Sequence, residues 1–232
     1  MTARSLNITP KRLITTGVPA ALDADLRAVM RAASADIIAR MLEVLYPDAE
    51  TVLDATFGNG KFWTPDTPLM VTGLDLDPTR ARDVCANFRA LPFLDDSFDV
   101  VIFDPPYHTN MGRAKPSVMG ARFGTFDTIP DLKLAVEQGC AEAWRVARLG
   151  MIVKSQDYIH ESRLVRMSRW IEDAIGVEPY DFVRGVSPSA ITDPKWGERL
   201  SVRHGGTPDY WAFRTDGPIH KRRDHPRRQG AA

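Results

Sequence analysis

The chain predicts an open α/β fold built on a mostly parallel, twisted sheet with helices on both faces. Three observations predict it. Short apolar runs alternate with stretches of helical spacing, a glycine-rich turn follows the first clear strand, and two later strands end on carboxylates. In such a sheet the carboxyl ends of the strands line the crevice where ligands bind, so chemistry is expected at strand tips. The 232 residues, 44% hydrophobic and 26% charged, suffice for one α/β unit with a substantial core.

Residues 1–19 are polar, carry Arg4, Lys11 and Arg12, and read as a loosely held arm. Residues 20–45 place Leu22, Leu26, Val29, Met30, Ile37, Ile38, Met41, Leu42 and Leu45 at helical intervals, which predicts one or two helices against the sheet. The first strand, Val52-Leu53-Asp54, runs into Gly58-Asn59-Gly60, and the second, residues 69–75, ends on Asp75. Residues 78–87 predict a short helix with Pro78 at its first position. Phe88 then opens a brief third strand, and Asp95-Asp96 turn the chain into a fourth at 98–103. Residues 131–148 predict a helix stopped by Gly150, 151–154 a fifth strand, and 163–175 a helix ended by Gly176. Residues 180–183 and 209–214 complete a seven-stranded sheet, the last alternating as an antiparallel edge does. A single domain thus spans 20–215, with residues 108–130 as a Gly- and Pro-rich loop over the crevice. Residues 216–232 form a basic tail too polar to fold alone.

Lysine plus arginine equals aspartate plus glutamate at 30 each, so no global field advertises a polyanionic partner and nucleic-acid contact must come from local patches. Cys85 and Cys140 stand apart without metal-ligand spacing, which argues against a zinc site or a disulfide framework and for no metal at all. Neither an apolar leader segment nor an 18-residue apolar run is present, and the chain reads as a cytoplasmic protein without a membrane partner.

Asp104-Pro105-Pro106-Tyr107 ends the strand at 98–103. Two prolines remove N–H donors and stiffen the turn, leaving a carboxylate, free-pointing carbonyls and an aromatic face at one corner. That set suits a flat ring bearing an amine. The amine of a nucleobase is a poor nucleophile because its lone pair is delocalised, so it must be held by acceptors that favour rehybridisation. Asp104 offers one and the Pro105 carbonyl another, while Tyr107 stacks on the ring. Upstream, Asp54-Ala55-Thr56-Phe57-Gly58-Asn59-Gly60 lets backbone approach a ligand closely, but Trp63 occupies the third small position of a dinucleotide fingerprint and argues against NAD or FAD. Asp75, about 15 residues on, is placed to accept from ribose hydroxyls, with Asp77 as the alternative. Read blandly, the glycines make an ordinary strand-to-helix turn, the aspartates cap a helix, and the prolines stiffen a loop.

In this order the motifs resemble those of the S-adenosylmethionine-dependent amino-methyltransferases of DNA, which act on adenine N6 or cytosine N4. The resemblance covers residues 50–155 and is to small, prophage-type enzymes. It implies a Rossmann-like class I methyltransferase fold with S-adenosyl-L-methionine as cofactor. It implies cofactor contacts from Asp54, Ala55, Thr56, Phe57, Gly58, Gly60, Asp75, Leu76, Asn87 and Phe88, and catalysis at Asp104, Pro105, Pro106 and Tyr107. Asn87 stands where the family commonly has Asp, and its amide can both accept from and donate to an adenine. Ser34, with Asp36 and Arg40, sits where related enzymes carry an additional cofactor motif.

The Asp heading the tetrapeptide implies adenine N6 in DNA. Alternatives are cytosine N4, an RNA adenine or guanine N2, and a non-catalytic subunit that keeps the fold. On the substrate side, His108, Arg113, Lys115 and Arg122 belong to a loop that either merely solvates its charges or closes over an extruded nucleotide, with Phe123 and Phe126 stacking on the base or pinning the loop. Residues 185–204 mix Lys195, Trp196, Arg199 and Arg203 in a way that suits sugar-phosphate contact, or form a hairpin with Trp196 buried. Lys154 reads as a structural or phosphate contact, and His204 is not needed as a base. Without an appended recognition domain, specificity is short, or is supplied by a second copy or a partner subunit.

Overall fold

A computed structural model describes residues 29–30, 32–107, 109, 126–161, 163–186 and 208–216. Its strands are β1 (Val29–Met30), β2 (Thr51–Asp54), β3 (Met70–Asp75), β4 (Val84–Cys85), β5 (Phe98–Phe103), β6 (Ala147–Ser155), β7 (Tyr158–His160), β8 (Arg163–Val165), β9 (Asp181–Gly185) and β10 (Asp209–Arg214). Among the described residues three helices accompany them: α1 (Ser34–Leu45), α2 (Ile129–Val146) and α3 (Met167–Ile175). The main sheet runs β1-β9-β10-β6-β5-β2-β3-β4, with β7 and β8 as a separate hairpin. Within the sheet β10 is antiparallel to both neighbours, so it is an interior strand and not the edge its alternation suggested, and every other pairing is parallel.

Strand alternation divides the core. Val52, Val100, Ile102, Ile152, Tyr210 and Ala212 face α1, while Leu53, Val101, Phe103, Met151, Val153 and Phe213 face α2 and α3. Both faces of the sheet are therefore covered by helix. α1 buries Ile37, Ile38, Met41, Leu42 and Leu45, a stripe recurring every three to four residues. Each such side chain withdrawn from water contributes about 1.5–3 kcal/mol. Thr128 caps α2 by accepting from the Asp131 N–H, and Gly176 ends α3 at φ +75°.

Several further expectations need correction. The sheet has eight strands, because Val29 and Met30 pair with Arg184 and Gly185 instead of entering a helix. A two-residue strand carries too little sequence to show a period of its own. Residues 78–87 are not helical: the Asp77 carboxylate caps a turn at Thr79, and the Asp83 carboxylate accepts from the Gly73 N–H at 2.7 Å. This draws the chain back along β3, so the third parallel strand lies at Val84–Cys85, before Phe88. Gly150 lies inside β6, four residues beyond the end of α2, and stops nothing; glycine is needed there because a Cβ would come within 2.0 Å of the Phe213 carbonyl oxygen on β10. Finally, residues 163–165 belong to the hairpin, and the helix expected over 163–175 is α3 alone. Residues 1–28 and 217–232, which include the arm and nearly all of the tail, lie outside the described residues.

Candidate active site

Parallel pairing brings the strand tips together. Asp54 of β2 stands opposite Ile102 of β5 on one side and Gly73 of β3 on the other. Ala55, fully buried, donates its N–H to the Ile102 carbonyl at 3.0 Å, and the Asp104 N–H donates to Thr56 Oγ1 at 2.8 Å. The glycine bend and the Asp-Pro-Pro-Tyr corner are thus directly bonded neighbours.

Gly58 and Gly60 adopt φ of +56° and +63°, the left-handed region that favours glycine. The Gly58 N–H donates to Asp75 Oδ2 at 2.8 Å, and the Asp77 N–H to Asp75 Oδ1 at 2.9 Å. Each oxygen keeps a second lone pair, so Asp75 can still accept from a ribose. Beside it Leu76 is 64% exposed, an apolar platform for a flat ring. These groups fit a nucleoside. Asp77 is committed to its turn.

Other residues assigned from the motif hold the bend together. Asp54 is fully buried, accepting from the Thr56 N–H at 3.2 Å and from Trp63 Nε1 at 2.7 Å. Burial pushes its carboxyl up to about 7 against the downward pull of those two bonds, with Asp104 and Asp75 adding to the rise. Phe57 fills the underside of the bend, where a Cβ on Gly60 or Gly73 would lie 2.7 or 2.5 Å from its ring. Phe88 packs on Phe103 with ring centres 5.3 Å apart and also blocks any Cβ on Gly139. Asn87 Oδ1 accepts from the Arg89 N–H at 2.9 Å, leaving its NH2 as the group that can meet an adenine.

At the corner, Lys154 reaches from β6 to place Nζ 2.7 Å from Asp104 Oδ2, with the two side chains only 12% and 20% exposed. Burial by itself would lower the lysine's affinity for its proton, but the Asp104 carboxylate, followed by Tyr107 and Tyr210, holds it above the usual lysine range. Asp104 Oδ1 is buried and receives no hydrogen bond from the described residues. Tyr107 is half-buried against the core, and burial together with the nearby Asp104 charge raises its hydroxyl above the usual tyrosine range. Pro105 is buried and Pro106 partly so. A cavity of about 140 Å³ opens beside this corner, lined among others by Tyr107, Lys154, Gln156, Ser34 and Tyr210. The Tyr210 hydroxyl donates to Ser34 Oγ at 2.7 Å. Arg40, by contrast, pairs with Glu43 on the exposed side of α1.

The Lys154–Asp104 pair and the Trp63–Asp54 bond were invisible in the sequence. The partners of the first pair are 50 residues apart, and Trp63 was weighed only for what it excludes. His108, Arg113, Lys115, Arg122, Phe123 and Trp196 lie outside the described residues. At the ends of that loop Thr109 bridges to Phe126, which packs on the core. Among the described residues no cluster could hold a metal ion, and no helix is long and apolar enough to cross a membrane.

No protein-family model matches the chain, and no curated protein does. Solved structures do. A protein of Bacillus halodurans assigned to the methyltransferases aligns over 77% of this chain and 98% of its own at 15% identity, with a TM-score of 0.50. The Burkholderia thailandensis 1,6-didemethyltoxoflavin N1-methyltransferase, solved with S-adenosylhomocysteine, aligns over 78% of each chain at 17% identity and a TM-score of 0.46. A Pyrococcus horikoshii protein matches at 21% identity and a TM-score of 0.37 over 53% of each chain, so this chain spans about half of it. The chain has the Rossmann-like class I fold of S-adenosylmethionine-dependent methyltransferases.

Proposed function

We propose that this chain transfers a methyl group from S-adenosylmethionine to the exocyclic amine of a base in DNA, with adenine N6 as the acceptor. One observation carries the reading. Asp104 Oδ1 is a buried acceptor without a donor among the described residues, set on the strand tip that is bonded to the glycine bend. A buried lone pair left unsatisfied costs about 1–3 kcal/mol, which an incoming N–H recovers.

When bound, S-adenosylmethionine supplies a methyl group on a positively charged sulfur. Asp75 and the backbone at 58–60 hold the nucleoside end, while Thr56 ties that bend to the Asp104 main chain. Asp104 Oδ1 accepts one amine hydrogen and the Pro105 carbonyl the other, which draws the nitrogen out of conjugation with its ring. Tyr107 stacks on the base and keeps the nitrogen in line. The methylated amine sheds its extra proton to water, so acceptor geometry carries the rate and a strong base is not required.

The experiment is tritiated methyl transfer to a mixture of DNA and RNA, followed by nucleoside chromatography. Label in N6-methyldeoxyadenosine supports the reading, and label confined to RNA or to cytosine N4 overturns its substrate. Calorimetric titration with S-adenosylmethionine separates it from a scaffold subunit, for which no binding is expected.

A further inference from the structure

The Asp104 corner contains a cation of its own. Lys154 Nζ lies 2.7 Å from Asp104 Oδ2, 5.4 Å from the centre of the Phe62 ring and 6.0 Å from that of Tyr107. A buried carboxylate flanked by aromatic faces is the arrangement that captures an alkylammonium ion. Here the chain's own lysine fills that seat. The pair is neutral overall, and the acceptor it leaves open is Asp104 Oδ1. The adjoining cavity, at about 140 Å³, has room for about one aromatic ring, since an engineered cavity of about 150 Å³ takes up benzene.

Resting on the reading above, we propose that Lys154 restricts the acceptor to neutral, ring-conjugated primary amines and turns away alkylammonium compounds. It does so by occupying the cation seat and by pinning Asp104 so that Oδ1 faces the incoming amine. In the transfer, the nitrogen lone pair forms the N–C bond, the C–S bond breaks with its electrons remaining on sulfur, and one amine proton leaves to water. A conjugated amine reaches this step with its lone pair in place. An alkylammonium ion has none until it gives up a proton, and Lys154, already protonated, cannot take it. The lysine's charge also repels a second cation brought within a few ångströms, where little water screens it.

The test begins without cofactor. Calorimetric titration of the wild-type chain with n-butylammonium chloride is expected to show no binding, whereas the Lys154→Met chain, with an unpaired carboxylate between two rings, gives saturable heat. In the transfer assay the wild type methylates an adenine-containing oligonucleotide and neither n-butylamine nor spermidine. Lys154→Met lowers kcat for the oligonucleotide by about 10²-fold through loss of Asp104 positioning while KM changes little. Its kcat/KM ratio for alkylamine over oligonucleotide rises at least about tenfold. Lys154→Arg keeps the charge and so keeps the selectivity, with kcat partly restored. A thermal melt accompanies each variant, and should Lys154→Met fail to fold, the wild-type titration and Lys154→Arg decide the matter.

Wild-type chain that binds n-butylammonium, or methylates bases and alkylamines alike, overturns this inference and leaves the methyltransferase reading standing. So does a folded Lys154→Met chain with wild-type kcat and selectivity, or a Lys154→Arg chain that loses selectivity. Methylation of alkylamines with none of bases overturns both.

Discussion

Replacing Asp104 by alanine separates what this carboxylate does for the fold from what it does for the reaction. Its partner Lys154 is 2.7 Å away and 12% exposed, so the substitution strands an ammonium among Phe62, Tyr107 and Tyr210. Removing one member of a buried pair costs about 3–5 kcal/mol. Both side chains keep some contact with water, which places the expected loss near the lower end, about 3 kcal/mol. For a chain of this size that is a fall in Tm of ~6–12 °C. Adding Lys154→Met removes the stranded charge, and the double variant is expected to return to within about 1 kcal/mol of wild type, a coupling visible in a double-mutant cycle. Methyl transfer, in contrast, falls by about 10²–10³-fold in the single variant and stays low in the double, because the acceptor is gone in both. Affinity for S-adenosylmethionine stays close to wild type in each, since Asp104 lies beyond the cofactor bend. Urea unfolding followed by tryptophan fluorescence reads stability, calorimetry reads affinity, and tritium transfer reads activity. A double variant as unstable as the single, or one that regains transfer, refutes the reasoning. Parallel loss of cofactor affinity and transfer refutes the division of labour.

Asp54 sets a pH dependence. Its proton is held up to about 7 in the folded chain against 3.8 as the ordinary value, so its stabilisation is complete below about pH 4 and is lost as pH rises through 7. At 1.36 kcal/mol per pH unit the swing is roughly 4 kcal/mol, and Asp54→Asn is expected to flatten it; an unchanged difference between pH 5 and 8 in urea unfolding contradicts this. Gly60→Ala puts a Cβ 2.7 Å from the Phe57 ring at φ +63°, which should cost about 1–2 kcal/mol of stability and weaken cofactor binding. A variant as stable and as tight-binding as wild type shows that the bend tolerates a side chain. Tyr107→Ala is expected to lower kcat/KM for DNA by an amount equivalent to about 1–3 kcal/mol of lost stacking. The steady-state assay that measures it also shows, if nothing changes, that the base does not stack there.

Local patterning exposed most of the sheet. The bounds and antiparallel sense of Asp209–Arg214 followed from its sequence, but its alternation suggested an edge where β9 and β6 flank it on both sides, and Phe98–Phe103 stood out as an apolar run that is buried from Asp99 onward. The strand-tip motifs were legible because the turns that bring a ligand close need glycine, and stiff acceptor corners need proline. What stayed hidden depends on partners far along the chain. Residues 78–87 carry helix-compatible composition, and only Asp83 reaching Gly73 shows why they form a turn and a short strand. β1 exists only because Arg184 and Gly185 lie beside it. Asp54 and Phe57 read as cofactor contacts from their motif, and the Trp63 bond and Gly73 packing that make them also supports for the bend were not legible there. Lys154 read as a structural or phosphate contact, and its depth beside Asp104, which no local pattern shows, is what ties it to the corner.

The most direct measurement is a crystal structure of the chain with S-adenosylhomocysteine and an adenine-containing oligonucleotide. The ribose is expected on Asp75, the sulfur above the bend at 57–60, and the adenine N6 within about 2.7–3.2 Å of Asp104 Oδ1. A nucleoside bound away from that bend, or an adenine amine that reaches any acceptor other than the Asp104 corner, contradicts this arrangement.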